Sequence, residues 1–310
     1  NEHIEDRMAD EAVNWLRSQD LSKPFFMNYW QFSVHAPFDA KESLIKYYQS
    51  KIDFTDLQHS PTYAAMVHSL DQAVGRLLDE IDRLGISDNT AIVFFSDNGG
   101  NMYNGIRETS QSGEEFITEP TSNRPLRGGK ATIYEGGTRV PCVIVWPKLT
   151  KPGSRSDVMI QSTDFYPTIL NQLGIALPIK HKIDGVDITK ALKGDTQDRG
   201  PIITYFPHNP KIPNWLPPSV SVHDENWKLI RVFNNGKDFA HQYFLYNLRQ
   251  DIGEVHNLAG KYPEKVKQLD AIIEAHLKDA KAVLPIINPA FDPQKYHPED
   301  IGIQKGGLRV

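Results

Sequence analysis

The sequence predicts an α/β protein: a doubly wound, mostly parallel sheet, followed by a smaller α+β domain with an antiparallel sheet and one helix. Three observations predict it. Apolar runs without alternation at Thr90–Phe95 and Arg139–Trp146 read as strands buried on both faces, the pattern of parallel sheets under helices. Segments with helical apolar spacing alternate with such runs, as in βα units. Beyond residue 200 the pattern changes to short strands separated by turn signals such as Asn235-Gly236. The expected division is therefore 1–198 for the larger domain and 199–310 for the smaller.

Taken in order, Ile4, Met8, Ala12 and Trp15 share one face of a helix over 4–18. Pro24–Phe32 reads as the next strand, ending in Ser33-Val-His-Ala-Pro-Phe38. Met66, Leu70, Ala73, Leu77 and Ile81 form the buried stripe of a long helix over 62–84, which Gly85 stops. Residues 101–126 are polar and predict a long loop, a feature that is usually functional inside a domain. A short helix over 163–173 ends at Gly174. In the second part, Pro201–Phe206, Ser219–His223, Trp227–Phe233 and Gln242–Leu248 read as antiparallel strands with one face covered. The cover is a helix over 263–279, where Val266, Leu269, Ile273 and Leu277 recur at helical spacing. The tail, with Pro285, Pro289, Pro293 and Pro298, predicts irregular chain.

Composition narrows the classes of function. Of 310 residues, 39% are hydrophobic and 24% charged, with a net charge of −5, so there is no basic footprint for nucleic acid. No apolar run approaches the roughly 18 residues that would span a membrane. The single cysteine, Cys142, cannot form an internal disulfide.

The chemistry gathers at strand ends. Asp97 and Asn98 follow the Thr90–Phe95 run and precede Gly99-Gly100, where open α/β sheets place their ligands. A carboxylate and a carboxamide offer hard oxygen donors to Ca²⁺ or Mg²⁺, although Asp-Asn-Gly-Gly also suits an ordinary turn. His35 follows another strand, and Lys130 follows Arg127-Gly-Gly. Singly, each has a structural reading. Together they suit a tetrahedral oxyanion: a cation on oxygen ligands beside two positive or proton-donating groups.

Ser96-Asp-Asn-Gly-Gly100, followed by Leu126-Arg-Gly-Gly-Lys-Ala-Thr-Ile-Tyr-Glu-Gly-Gly-Thr-Arg-Val-Pro141, resembles the sulfatase family of the alkaline-phosphatase superfamily. Ser33-Val-His-Ala-Pro-Phe38, Tyr243–Asp251 and Glu254-Val-His-Asn-Leu-Ala259 resemble further segments of that family. The resemblance implies an alkaline-phosphatase-like fold, sulfate-ester hydrolysis, and Asp97 and Asn98 as calcium ligands. It makes Lys130 and His35 sulfate contacts and proton donors to the leaving oxygen. It implies a sulfated glycan or small molecule as substrate and a periplasmic or secreted location. Phe206-Pro-His-Asn209 resembles a histidine segment of glycan sulfatases, so His208 is the candidate substrate contact, with a loop histidine as the alternative. Arg107 and Trp215 also suit an anionic glycan. Glu135 and Arg139 are expected to pair and hold the turn carrying Lys130.

The sequence departs from the family in features that belong to the family's N-terminal portion. The family nucleophile is a formylglycine made from Cys or Ser in Cys/Ser-x-Pro-x-Arg, and that motif is absent here, as is the adjacent acidic pair that completes the calcium site. The expectation is a C-terminal part of a longer sulfatase, carrying half the metal site and inactive alone, with the N-terminal segment as its partner. Two alternatives stand beside it: a phosphodiesterase or phosphonate hydrolase of the same superfamily, and a non-catalytic glycan-binding pseudoenzyme. Asn98, where phosphate-ester hydrolases typically carry His, favours sulfatase.

Overall fold

The computed structural model describes residues 2–208 and 217–290, together with Asp292 and Gln294. Trp215, Pro293 and Pro298 lie outside the described residues. The chain gathers into two compact units. The first holds the residues up to Thr90 with Gly100–Asn123, and the second holds Ala91–Gly99 with the described residues from Arg124 onward.

In the first unit, helix α1 (Ile4–Arg17) packs on helix α3 (Pro61–Arg83), with α2 (Glu42–Gln49) between them in sequence. Ala9, Ala12 and Val13 meet Ala73 and Leu77, small side chains that let the two helices approach closely. Ser60 caps α3 by accepting the Tyr63 N–H at 3.1 Å, and Pro61 sits in the first turn, where its missing N–H costs nothing. At the far ends of the helices, Arg17 and Arg83 both clamp the Glu80 carboxylate.

Two expectations for this unit need correction. Residues 101–126 contain a hairpin, β2 (Ile106–Thr109) with β3 (Glu115–Thr118), in place of an unstructured loop. Its anchor is Glu108, a buried carboxylate that accepts the Thr62 N–H at 3.0 Å and the Thr62 hydroxyl at 2.8 Å at the start of α3. Arg107 points the other way, exposed and 3.5 Å from Glu115. Pro24–Phe32 is extended but belongs to no ladder. Phe25, Met27, Tyr29 and Gln31 turn partly inward, while Phe26, Trp30 and Phe32 stand exposed.

The second unit corrects the sheet. Strand β1 (Ile92–Phe95) pairs with β4 (Cys142–Val145), and the pairing is antiparallel, Val93 opposite Ile144 and Phe94 opposite Val143. All ladders among the described residues are antiparallel, so the parallel sheet expected from the two apolar runs is not found. An unbroken apolar run signals burial, but it carries no information on the direction of the partner strand. The burial is incomplete too, since Val143 is 58% exposed and Phe94 41%. Helix α5 (Phe165–Gln172) follows where expected, with Phe165 edge-on to Phe95 at 5.2 Å.

A four-stranded antiparallel sheet forms from β5 (Ile202–Phe206), β6 (Ser219–Asp224), β7 (Trp227–Val232) and β8 (Gln242–Asn247), in that order. The two short helices before it are α4 (Glu135–Thr138) and α6 (Thr189–Lys193), and helix α7 (Pro263–Asp279) follows it. Period-two alternation splits β7 between two faces. Leu229, with Val220, Val222 and Leu245, meets Leu269, Ile273 and Leu277 of α7. Ile230 and Val232, with Tyr246 and Leu248, meet Ile133 and Tyr134. The sheet is therefore covered on both faces, where the sequence suggested one. The second cover is the segment that carries Lys130.

Glu80 gives this packing a pH signature. The Arg83 guanidinium, and then that of Arg17, holds its carboxyl at about 2, well below its ordinary 4.5. A depressed pKa contributes stability that is fully present above 4.5 and is lost as pH falls through about 2. Glu80→Gln is expected to lower Tm at pH 7, with the gap to wild type closing between about pH 4.5 and 2. Thermal melts across that range check this, and a gap independent of pH would contradict it.

Candidate functional site

The Asp97–Asn98 corner and the Lys130 turn meet through backbone. Beyond β1 the chain turns at Ser96, whose N–H donates to the Pro141 carbonyl and whose hydroxyl donates to the Asn98 carbonyl at 3.1 Å. The Gly99 N–H then donates to the Gly137 carbonyl at 3.0 Å, and the Gly136 N–H to the Arg127 carbonyl at 2.8 Å. These segments stack so closely that no side chain fits between them. A Cβ on Gly99 would sit 1.7 Å from the Gly136 carbonyl oxygen, and one on Gly136 would sit 2.1 Å from that of Gly128. Glycine is thus required at 99 and 136 by close approach of backbone. The stack brings the loop of Asp97 and Asn98 and the loop of Arg127–Lys130 onto the same small turn.

What fixes this turn is a buried charge cluster. Lys228 of β7, 2% exposed, lies 2.9 Å from Glu135 Oε1 and 3.0 Å from Glu254 Oε1. Glu254 Oε2 accepts the Glu135 backbone N–H at 2.7 Å. Arg139 donates through Nε to Glu135 Oε2 at 2.7 Å, the pairing expected from the sequence. Arg127 lies over the Tyr134 ring at 4.2 Å and donates to the Glu254 carbonyl at 3.0 Å. Burial pushes the Glu135 carboxyl up, but Lys228 and Arg139 outweigh it and hold the group below its ordinary value. For Glu254 burial wins over Lys228, with repulsion from Glu135 added, and its carboxyl is raised. His223, opposite Lys228 in the ladder, has its pKa lowered by burial, against the pull of Glu135.

Sequence reasoning did not single out Lys228 or the role of Glu254. One signal was present. A lysine and an arginine alternate with apolar residues in Trp227-Lys-Leu-Ile-Arg-Val232, a strand otherwise built for a core. The structure buries both, Lys228 toward Glu135 and Arg231 toward Asp270 of α7 at 3.0 Å.

The remaining candidates lie as follows. Asp97 is exposed, and Asn98 and Lys130 are half-buried. Among the described residues no three His, Cys, Asp or Glu side chains gather as a metal site. The side chains of Asp97 and Asn98 carry oxygens of the kind a hard cation such as calcium takes, six to eight in all. His208 is exposed and edge-on to Phe206 at 5.2 Å, and Phe206 packs against the cluster of Ile133 and Tyr134. His35 belongs to the other compact unit, exposed at the end of the unpaired extended segment, with Nδ1 2.7 Å from the Ala36 carbonyl.

The model of the Sulfatase family matches residues 1–175, more than half of the chain. The chain belongs to the sulfatase family. A second model, for the C-terminal region of N-sulphoglucosamine sulphohydrolase, matches residues 129–282 of this sulfatase-family chain. Among relatives, a sulfatase of Formosa agariphila is 30% identical over 293 residues, covering 89% of this chain and 49% of that protein. The uncharacterized sulfatase YdeN of Escherichia coli is 27% identical, covering 92% and 52%. The chain thus spans about half the length of these curated relatives. The crystal structure of Ps i-CgsB superposes with a TM-score of 0.72 at 27% identity, covering 89% of this chain and 55% of that one. The same protein has been crystallised in complex with k-i-k-neocarrahexaose, at 26% identity and the same TM-score. No helix among the described residues is long and apolar enough to cross a membrane.

The glycine stack yields a direct test. Gly99→Ala and Gly136→Ala are each expected to cost more than about 2 kcal/mol, since backbone must shift in a buried turn. Gly75→Ala in α3, with open space around it, is expected to be neutral or stabilising by up to about 1 kcal/mol. Chemical denaturation of the three variants checks this ranking, and equal stabilities would contradict the close approach.

Proposed function

We propose that this chain is the C-terminal part of a calcium-dependent sulfatase that hydrolyses sulfate esters on a glycan, with aryl sulfates as the second substrate class. The observation that carries it is the joining of the Asp97–Asn98 corner to the Lys130 turn through the glycine stack, in a chain of the sulfatase family. The glycan class is supported by the k-i-k-neocarrahexaose crystallised with Ps i-CgsB. In this reading residues 1–198 belong to the catalytic domain and 199–310 to the smaller one. The covalent nucleophile, a formylglycine, lies outside these residues, so the isolated chain is inactive and its partner is the N-terminal segment of the same protein.

The chemistry assigns a role to each residue. Cleaving the S–O bond of a sulfate ester releases an alkoxide, so a cation or proton donor at the bridging oxygen lowers the barrier. The Lys130 ammonium neutralises that oxygen, held in place by a turn that Glu135, Glu254 and Lys228 anchor. Asp97 and Asn98 would hold calcium, which when bound would polarise the sulfuryl oxygens. His35 contacts sulfate through Nε2, because Nδ1 faces a carbonyl, which only accepts and so requires a proton on that nitrogen. His208 contacts the glycan at the edge of β5.

The test uses the full-length natural protein. Sulfated oligosaccharides are expected to turn over faster than phosphodiesters, and Lys130→Ala is expected to lower kcat by about 10²–10³, as for other preorganised oxyanion donors. Asp97→Ala is expected to abolish the dependence of turnover on added calcium. A preference for phosphodiesters would favour the phosphodiesterase reading. No turnover of either ester would favour the pseudoenzyme.

A further inference from the structure

Glu5 lies in the first turn of α1 and is 3% exposed, a rare place for a carboxylate. One donor holds it, and a histidine lies beside it. The Ser33 hydroxyl donates to its Oε1 across 28 positions of chain, and His3 Nδ1 lies 2.8 Å from its Oε2. Ser33 stands two residues before His35, and the two are joined by a tight turn in which the His35 N–H donates to the Phe32 carbonyl at 2.9 Å. On the other side of the turn, Val34 and Phe38 rest on the cluster of Ala40, Ala65 and Met66. His35 itself is exposed, and its side chain bonds within its own loop, Nδ1 to the Ala36 carbonyl. Polar fixation of the loop onto the helical scaffold therefore comes through Ser33.

We propose that Glu5 is a positioning residue for His35, acting through the Ser33 hydroxyl and touching no substrate itself. The inference rests on the reading of His35 as a sulfate contact. A carboxylate suits the task for two reasons. It only accepts, so it fixes Ser33 as a donor and admits no alternative arrangement of that hydroxyl. It also sits in the first turn of a helix, where the dipole favours negative charge, and its hydrogen bond from Ser33 is charge-assisted. Without it the Ser33 hydroxyl has no acceptor, and the loop is left to its apolar contacts.

Two measurements test this. In the 310-residue chain, Ser33→Ala and Glu5→Ala are expected to speed exchange of the His35 amide about tenfold and to shift its ring ¹⁵N resonances, while β2 and β3 keep their protection. The double variant is expected to be no worse than either single one, and Glu5→Gln, which keeps an acceptor, to stay near wild type. Unchanged His35 signals in Ser33→Ala would overturn the proposal, as would an equal loss of protection in β2 and β3. In the full-length protein, Ser33→Ala is expected to lower kcat about tenfold with KM little changed, the effect of a misplaced group. Turnover unaffected by Ser33→Ala but abolished by His35→Ala would also overturn it. Turnover unaffected by His35→Ala would instead overturn the role given to His35, with the exchange data still deciding whether Glu5 sets the loop.

Discussion

Everything around the Lys130 turn depends on one buried ammonium. Lys228 projects from the central part of a four-stranded sheet into a space nearly closed to water, where two carboxylates meet it. A lysine so buried is tolerable only if paired, and each partner ties a different part of the chain to β7. Glu135 opens the short helix α4 after the Lys130 turn, and Glu254 lies in the loop following β8. The two acids are not equivalent. Glu135 has Arg139 as a second cation and stays ionised more readily, while Glu254 carries the greater desolvation and feels its neighbour's charge. Breaking such a cluster by removing one member costs about 3–5 kcal/mol, because the others remain buried and unpaired.

The same turn shows how packing becomes site geometry. Ile133 and Tyr134 fill the face of the sheet opposite α7, so the segment from Arg127 to Arg139 is seated by apolar burial as well as by charge. Its glycines then present bare backbone, and Gly99 lies against it. Asp97 and Asn98 precede that contact by two residues and one, which leaves little freedom in where they emerge. The corner that carries Asp97 and Asn98 and the turn that carries Lys130 are thus joined backbone to backbone.

Much of this was legible in the sequence, and the limits have physical causes. Helices α3 and α7 and the four strands of the second part follow from apolar spacing, because one buried face leaves a clear period. The Glu135–Arg139 pair was legible from its spacing along the motif. The pairing of β1 with β4 was not, since direction depends on how the chain returns and leaves no trace in an unbroken apolar run. The hairpin at 106–118 hid among polar residues because its anchor, Glu108, is itself polar and is buried by hydrogen bonds to α3. Lys228 escaped for a related reason: a charged residue in a strand reads as facing solvent until its partners, from distant positions, are seen. Pro24–Phe32 has a strand's composition and an extended backbone, but no ladder among the described residues.

The most direct measurement is native-state hydrogen exchange at Gly99, Gly136 and Arg139, in wild type and in Lys228→Met. These amides donate within the stack and its flank, to Gly137, Arg127 and Glu135. If the buried ammonium holds the turn and the turn holds the Asp97–Asn98 corner, all three amides lose protection together in the variant while the α7 amides keep theirs. Protection at Gly99 that survives the loss of Lys228 would contradict that dependence.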